Sequence, residues 1–166
     1  MSTNLTDRDG VSLVDNAGNI LVGETPNQMY SARTVLTSAQ VKALRATPAT
    51  LVAAPGAGKI NIVDSVFFYL TYGSNVFTET ADNFVVEYGD SGVDITGAIE
   101  TTGSWLVASA NAFGTAVPAA ILTGAAATEG VNETIQLTNT GDGEIAGNAG
   151  NDNTVTVVVN YHTVEL

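Results

Sequence analysis

Cysteine is absent from the 166 residues, so no disulfide contributes to stability and the redox compartment stays open. Basic side chains are nearly as scarce. Five Lys and Arg stand against 17 Asp and Glu, for a formal net charge of −12. That balance excludes a nucleic-acid partner, because such binding rests on cationic side chains meeting phosphates. No basic residue follows Lys59, and only one histidine, His162, is present. Charged residues make up 13% of the chain, about half the usual ~25%. The surface must therefore be built largely from Thr, Ser, Asn, Gly and Ala. Long apolar runs are missing too: none approaches the ~20 residues of a membrane span, and the first ten residues lack the pattern of a signal peptide. The expectation is a soluble protein made in the cytoplasm, without a membrane partner.

A chain of this length is most simply one domain, able to bury roughly 70% of its unfolded surface without a metal or disulfide. Its charge is unevenly divided. Residues 1–59 carry Arg8, Arg33, Lys42, Arg45 and Lys59 against Asp7, Asp9, Asp15 and Glu24, a net +1, which leaves −13 for the remainder. A nearly neutral entry segment thus precedes a strongly acidic body.

Residues 1–34 read as an extended N-terminal arm with a small hairpin, Val11–Val14 to Ile20–Val22, turned by Asp15–Asn19. Such a hairpin is marginal alone, so the arm is expected to need a neighbour. Thr37–Ala46 is the one helix predicted: Thr37 as N-cap and Gln40 three residues on have capping-box spacing, Val41 and Leu44 give an apolar face, and Pro48 stops it. Lys42 and Arg45 fall on its exposed side. From there the pattern is β, with strands expected at Thr50–Ala54, Lys59–Tyr72, Asn83–Tyr88, Val93–Ile95, Trp105–Ala108, Thr134–Asn139 and Thr154–Thr163. In the long strand, alternation sets Ile60, Ile62, Val66, Phe68, Leu70 and Tyr72 against Val63, Phe67 and Tyr69. From Val66 to Leu70 both faces are apolar, as in a central strand or one whose outer face is covered by another subunit. Ala110–Gly130 reads as loop or as a short helix around Pro118–Leu122, and Gly141–Asn153 as turn. The fold class expected is mainly β, an antiparallel sandwich or barrel over residues 35–166, with one short helix and the arm.

Motifs that carry chemistry are few. Ala53–Lys59 imitates a phosphate loop, but position 53 is Ala instead of Gly, Ile60 replaces the magnesium-binding hydroxyl, and a strand follows where a helix is required. The residues read instead as a Pro-Gly turn. His162 has no sequence-identifiable Ser or Asp partner, and alternation sends it to the face opposite Val159 and Tyr161. No catalytic residues and no cofactor are therefore expected. Asp142, Glu144 and Asp152, with Asn148 and nearby carbonyls, are hard oxygen donors of the kind calcium takes. Their spacing matches neither an EF-hand nor a tandem repeat, and the same residues are what any turn uses.

The run from Ser38 to Lys59, the strand end Tyr69–Gly73 and the closing Val-Asn-Tyr strand resemble small virion proteins of tailed bacteriophages, above all head decoration (cement) proteins. The resemblance covers about residues 35–75 and 154–164. It implies a jelly-roll-like domain on the capsid exterior, partnered with the major capsid protein and with itself as a homotrimer, reinforcing contacts between capsid subunits. On that reading Val11, Leu13, Ile20, Leu21, Arg33, Lys42 and Arg45 dock on the capsid, and Val63, Phe67 and Tyr69 form the subunit interface. The alternative is a tail or fibre domain that binds a host receptor or glycan through exposed aromatics such as Trp105. A surface adhesin module would require an export signal that this Met-initiated chain does not show.

Overall fold

The structure, a computed structural model, describes residues 28–79, 82–89, 92–101, 103–119, 128–141 and 143–166. Among them eleven strands and one helix follow in the order β1 Met29–Thr37, α1 Ser38–Val41, β2 Ala49–Val52, β3 Lys59–Thr71, β4 Phe77–Thr78, β5 Asn83–Tyr88, β6 Val93–Asp94, β7 Ile99–Glu100, β8 Ala112–Ala116, β9 Ile135–Asn139, β10 Ala146–Gly147 and β11 Thr154–Glu165. One sheet has the order β1-β11-β3-β8 and the other β2-β9-β5-β6, with β7 also on β5; every pairing is antiparallel. Setting aside β4, β7 and β10, each step along the chain crosses between the sheets except the hairpin β5–β6. That is the double Greek key of a jelly roll, as expected from the sequence.

Alternation builds the core. On β11, Val155, Val157 and Val159 are at most 1% exposed and oppose Leu70, Phe68 and Val66 of β3. Each contributes on the order of 1.5–3 kcal/mol by leaving water. The facing sheet supplies Phe84, Val86 and Tyr88 from β5 and Ile135 and Leu137 from β9. β1, the end of α1 and the turn after it add Leu36, Val41 and Leu44 to the core.

Four expectations change. β1 begins at Met29 and pairs with β11 along its whole length, so residues 29–34, assigned to the arm, are part of the sandwich. Residues 1–27, with Val11, Leu13, Ile20 and Leu21, lie outside the described residues. The helix keeps its capping box, with Thr37 N–H donating to Gln40 Oε1 at 2.9 Å, but stops at Val41. The Glu144 carboxylate takes the N–H groups of Arg45 and Ala46 at 3.0 and 2.8 Å, and these would otherwise have bonded back into the helix. Trp105–Ala108 is a turn and β8 is a strand where loop or helix was expected. Alanine and glycine are weak strand formers locally, and pairing with β3 decides for β8. Finally, Val63 is 3% exposed and belongs to the core, not to an outer surface. The register of β3 against β11 shifts at Asn160/Tyr161, where Ser65 faces Asn160 and Val63 faces Tyr161. Asp64 is the extra residue of this bulge, and a one-residue slip exchanges the faces on either side of it.

Candidate functional site

The feature that stands out among the described residues is the outer face of the sheet β1-β11-β3-β8. Beyond the bulge, Phe67 and Tyr69 point away from the core, as the alternation predicted. Phe67 is 37% exposed, and on the neighbouring edge strand Phe113 is 67% exposed. Their rings stack with centroids 6.0 Å apart. Val35 and Met29 of β1 extend the apolar area at the far edge, and Arg33, between them, donates to Thr156 Oγ1 at 3.4 Å. An aromatic pair left in water on a central and an edge strand is the kind of area that partners cover.

Most of the chain's 17 carboxylates lie outside the two main sheets. The four strands of this sheet contain two, Asp64 at the bulge and Glu165 at the far end, and β2, β9, β5 and β6 contain two more, Glu87 and Asp94. Asp64 is engaged: its Oδ2 lies 3.1 Å from Nδ1 of His162. His162 does face away from Val159 and Tyr161, and the partner that the sequence could not identify comes from the bulge, 98 residues away.

The Gly/Asn loop is a structural clasp. Asn148 and Asn153 are 1% and 0% exposed. Asn153 Oδ1 accepts from Gly73 N–H at 2.7 Å, while Asn148 Nδ2 and Asn153 Nδ2 both donate to Asn75 O at 2.8 Å. Asn148 Nδ2 also donates to Asp152 Oδ1 at 2.9 Å, and together with Ser74 it holds the Asp152 carboxyl below its ordinary range. A Cβ at Gly73 would collide with the Asp152 carboxylate, so a larger residue there displaces that side chain. Of the proposed calcium donors, Asp142 lies outside the described residues. Glu144 is spent on the helix end and Asp152 on Asn148. The loop oxygens that converge do so on Lys42: its Nζ donates to Gly147 O, Asn148 O and Asn151 Oδ1 at 3.2, 3.4 and 2.6 Å. Three ammonium protons thus meet three acceptors. Lys42 is half-buried and tied to the loop by these bonds, whereas Arg45 and Arg33 are exposed. No group of three or more His, Cys, Asp or Glu able to hold a metal occurs among the described residues.

Two further expectations can be placed. Pro55–Gly58 is the turn that launches β3, with Gly56 and Gly58 at positive φ and Lys59 N–H donating to Gly56 O at 3.2 Å. Trp105, proposed as an exposed ligand-stacking residue, is only 9% exposed. It stacks on Phe68 at 5.2 Å and meets Phe84 edge-on at 6.1 Å. Gly114 of β8 leaves room for its indole, which a Cβ would strike. What sequence reasoning missed was Phe113. Its signal was an aromatic inside an uncharged segment, hidden because β8 itself was not recognised. The chain matches no family model, no curated protein and no solved structure.

Proposed function

We propose that the protein is a non-enzymatic virion structural protein of a tailed bacteriophage, binding the outer surface of the capsid and reinforcing contacts between capsid subunits. The observation that carries this reading is the acid-poor outer sheet face with the stacked Phe67–Phe113 pair, on a jelly roll whose carboxylates lie mostly elsewhere. A strongly acidic particle coat stays soluble through its charge, while an uncharged, aromatic face has most to gain from being covered. Jelly rolls serve many functions, so the face and its charge carry the argument, not the fold. The docking set becomes Arg33, Arg45 and the apolar residues Val11, Leu13, Ile20 and Leu21 of the N-terminal segment, since Lys42 is bound within the fold. Self-contacts, expected as a homotrimer, use Phe67 and Tyr69 but not Val63. The test is cosedimentation of the purified chain with phage capsids stripped of it. Saturable pelleting with capsids supports the reading. A chain that stays in the supernatant but binds glycans on an array would instead support the tail or fibre alternative.

A further inference from the structure

We infer that the free edge of β8 pairs with β8 of a second copy of this chain, extending the sheet β1-β11-β3-β8 across the contact. The inference rests on the assembly reading above but gives the self-contact a two-fold axis in place of the expected homotrimer. Among the described residues, β8 hydrogen-bonds to β3 on one side and to no strand on the other. Such an edge is an open template for another strand, and natural proteins guard it with lysine, inward charges, bulges or proline. None of these occurs within Ala112–Ala116, a regular ladder with no register shift. From Thr101 to Thr128 the chain has no charged residue at all, although the whole carries −12. That pattern selects the occupant. Two copies of a polyanion approach most readily where few carboxylates face the contact; β8 itself carries none, and Glu100, which lines a cavity together with Gly114–Val117, is the carboxylate beside it. A basic partner would be drawn to the acidic surfaces instead.

Antiparallel pairing of a strand with itself is the self-complementary contact of a two-fold dimer. Centring it on Gly114 sets Phe113 opposite Thr115 of the second copy. Phe113 and Thr115 are neighbours of Tyr69 and Phe67 on β3. The outer face would then carry one continuous aromatic band across both copies, and Val117, 64% exposed, would be covered at its margin. The single tryptophan reports on the same place, because Trp105 packs against Gly114.

Sedimentation velocity of the full-length chain over a range of concentrations tests the inference, with Thr115→Lys and Phe113→Lys as variants and Thr50→Lys, exposed on the other sheet, as control. Thr115→Lys leaves the Phe67–Phe113 stack in place, so a retained melting transition separates lost association from lost folding. The native chain and the control are expected to associate, with each β8 lysine weakening self-association roughly 100-fold by setting an unpaired charge against an apolar strand. A native chain that is monomeric at high concentration, or an oligomer whose mass neither β8 lysine changes, overturns the inference. Capsid binding is not read in this experiment, so failure here leaves the virion reading to its own test.

Discussion

Phe67 on a central strand and Phe113 on an edge strand stack 6.0 Å apart on the outside of the sandwich, while Phe68, one residue along, stacks on Trp105 at 5.2 Å inside it. Consecutive residues of β3 thus carry aromatic pairs on opposite faces. The inner pair links the two sheets through Trp105, which also meets Phe84 of β5. The outer pair has no counterpart within the described fold, and it is the reason for reading this protein as a component of an assembly.

The asparagine clasp should be a principal point of stability at its end of the sandwich. Replacing Asn153 by Ala leaves the N–H of Gly73 without its partner, while the carbonyl of Asn75 keeps the bond from Asn148. The expected loss is about 1–3 kcal/mol, that of one buried polar group left unsatisfied. Urea denaturation monitored by circular dichroism measures it; a loss below about 1 kcal/mol would mean that water replaces the side chain without cost.

Acid stability should depend in part on Asp152. Hydrogen bonds from Asn148 and Ser74 favour its charged form and lower its pKa from the ordinary 3.8. A carboxyl whose folded pKa is depressed adds stability above its unfolded pKa and loses it as pH falls through the folded value. Melting temperatures of the native chain and Asp152→Asn should therefore differ most near neutrality and converge below about pH 4. A difference independent of pH would contradict this assignment.

At the alkaline end the sign reverses, and Tyr88 is the residue involved. Burial pushes its phenol up to about 12, and its hydroxyl donates to Asn61 O at 2.7 Å. A group with a raised folded pKa contributes fully below its unfolded value, here 10.0, and loses that contribution as pH rises through the folded one. The native chain should lose stability between about pH 10 and 12, while Tyr88→Phe, weaker by about 1 kcal/mol at neutrality, should show a flatter alkaline limb.

Calcium should leave the melting temperature unchanged. The loop oxygens that converge do so on the Lys42 ammonium, and Glu144 and Asp152 are committed to hydrogen bonds within the fold. Removing that ammonium with Lys42→Met should lower the melting temperature by a few degrees, as the loss of charge-assisted hydrogen bonds in a domain of this size does. A calcium-dependent rise in the native chain would show that the loop rearranges to take the ion.

The sandwich was legible wherever period-two alternation was strong: β5, the Val-rich β11 and the second half of β3 fall where the pattern put them. The capping box of Thr37 and Gln40 marked the helix start, but its end depended on Glu144, some hundred residues away, which no local pattern reveals. A similar long-range cause misplaced Val63, because the bulge at Asp64 exists only in the register with β11. β8 was invisible because Ala112-Phe-Gly-Thr-Ala116 has little strand preference of its own, and Trp105 looked exposed because its cover, Gly114, is part of that unseen strand. Of the outer face, Phe67 and Tyr69 were readable and Phe113 was not.

Cryo-electron microscopy of the intact phage particle tests the central claim most directly. Extra density that fits this jelly roll is expected on the outer capsid surface, with the face bearing Phe67, Tyr69 and Phe113 covered by a capsid subunit or by another copy. Density for this fold confined to the tail or fibres, or a capsid-bound copy with that face in solvent, would contradict it.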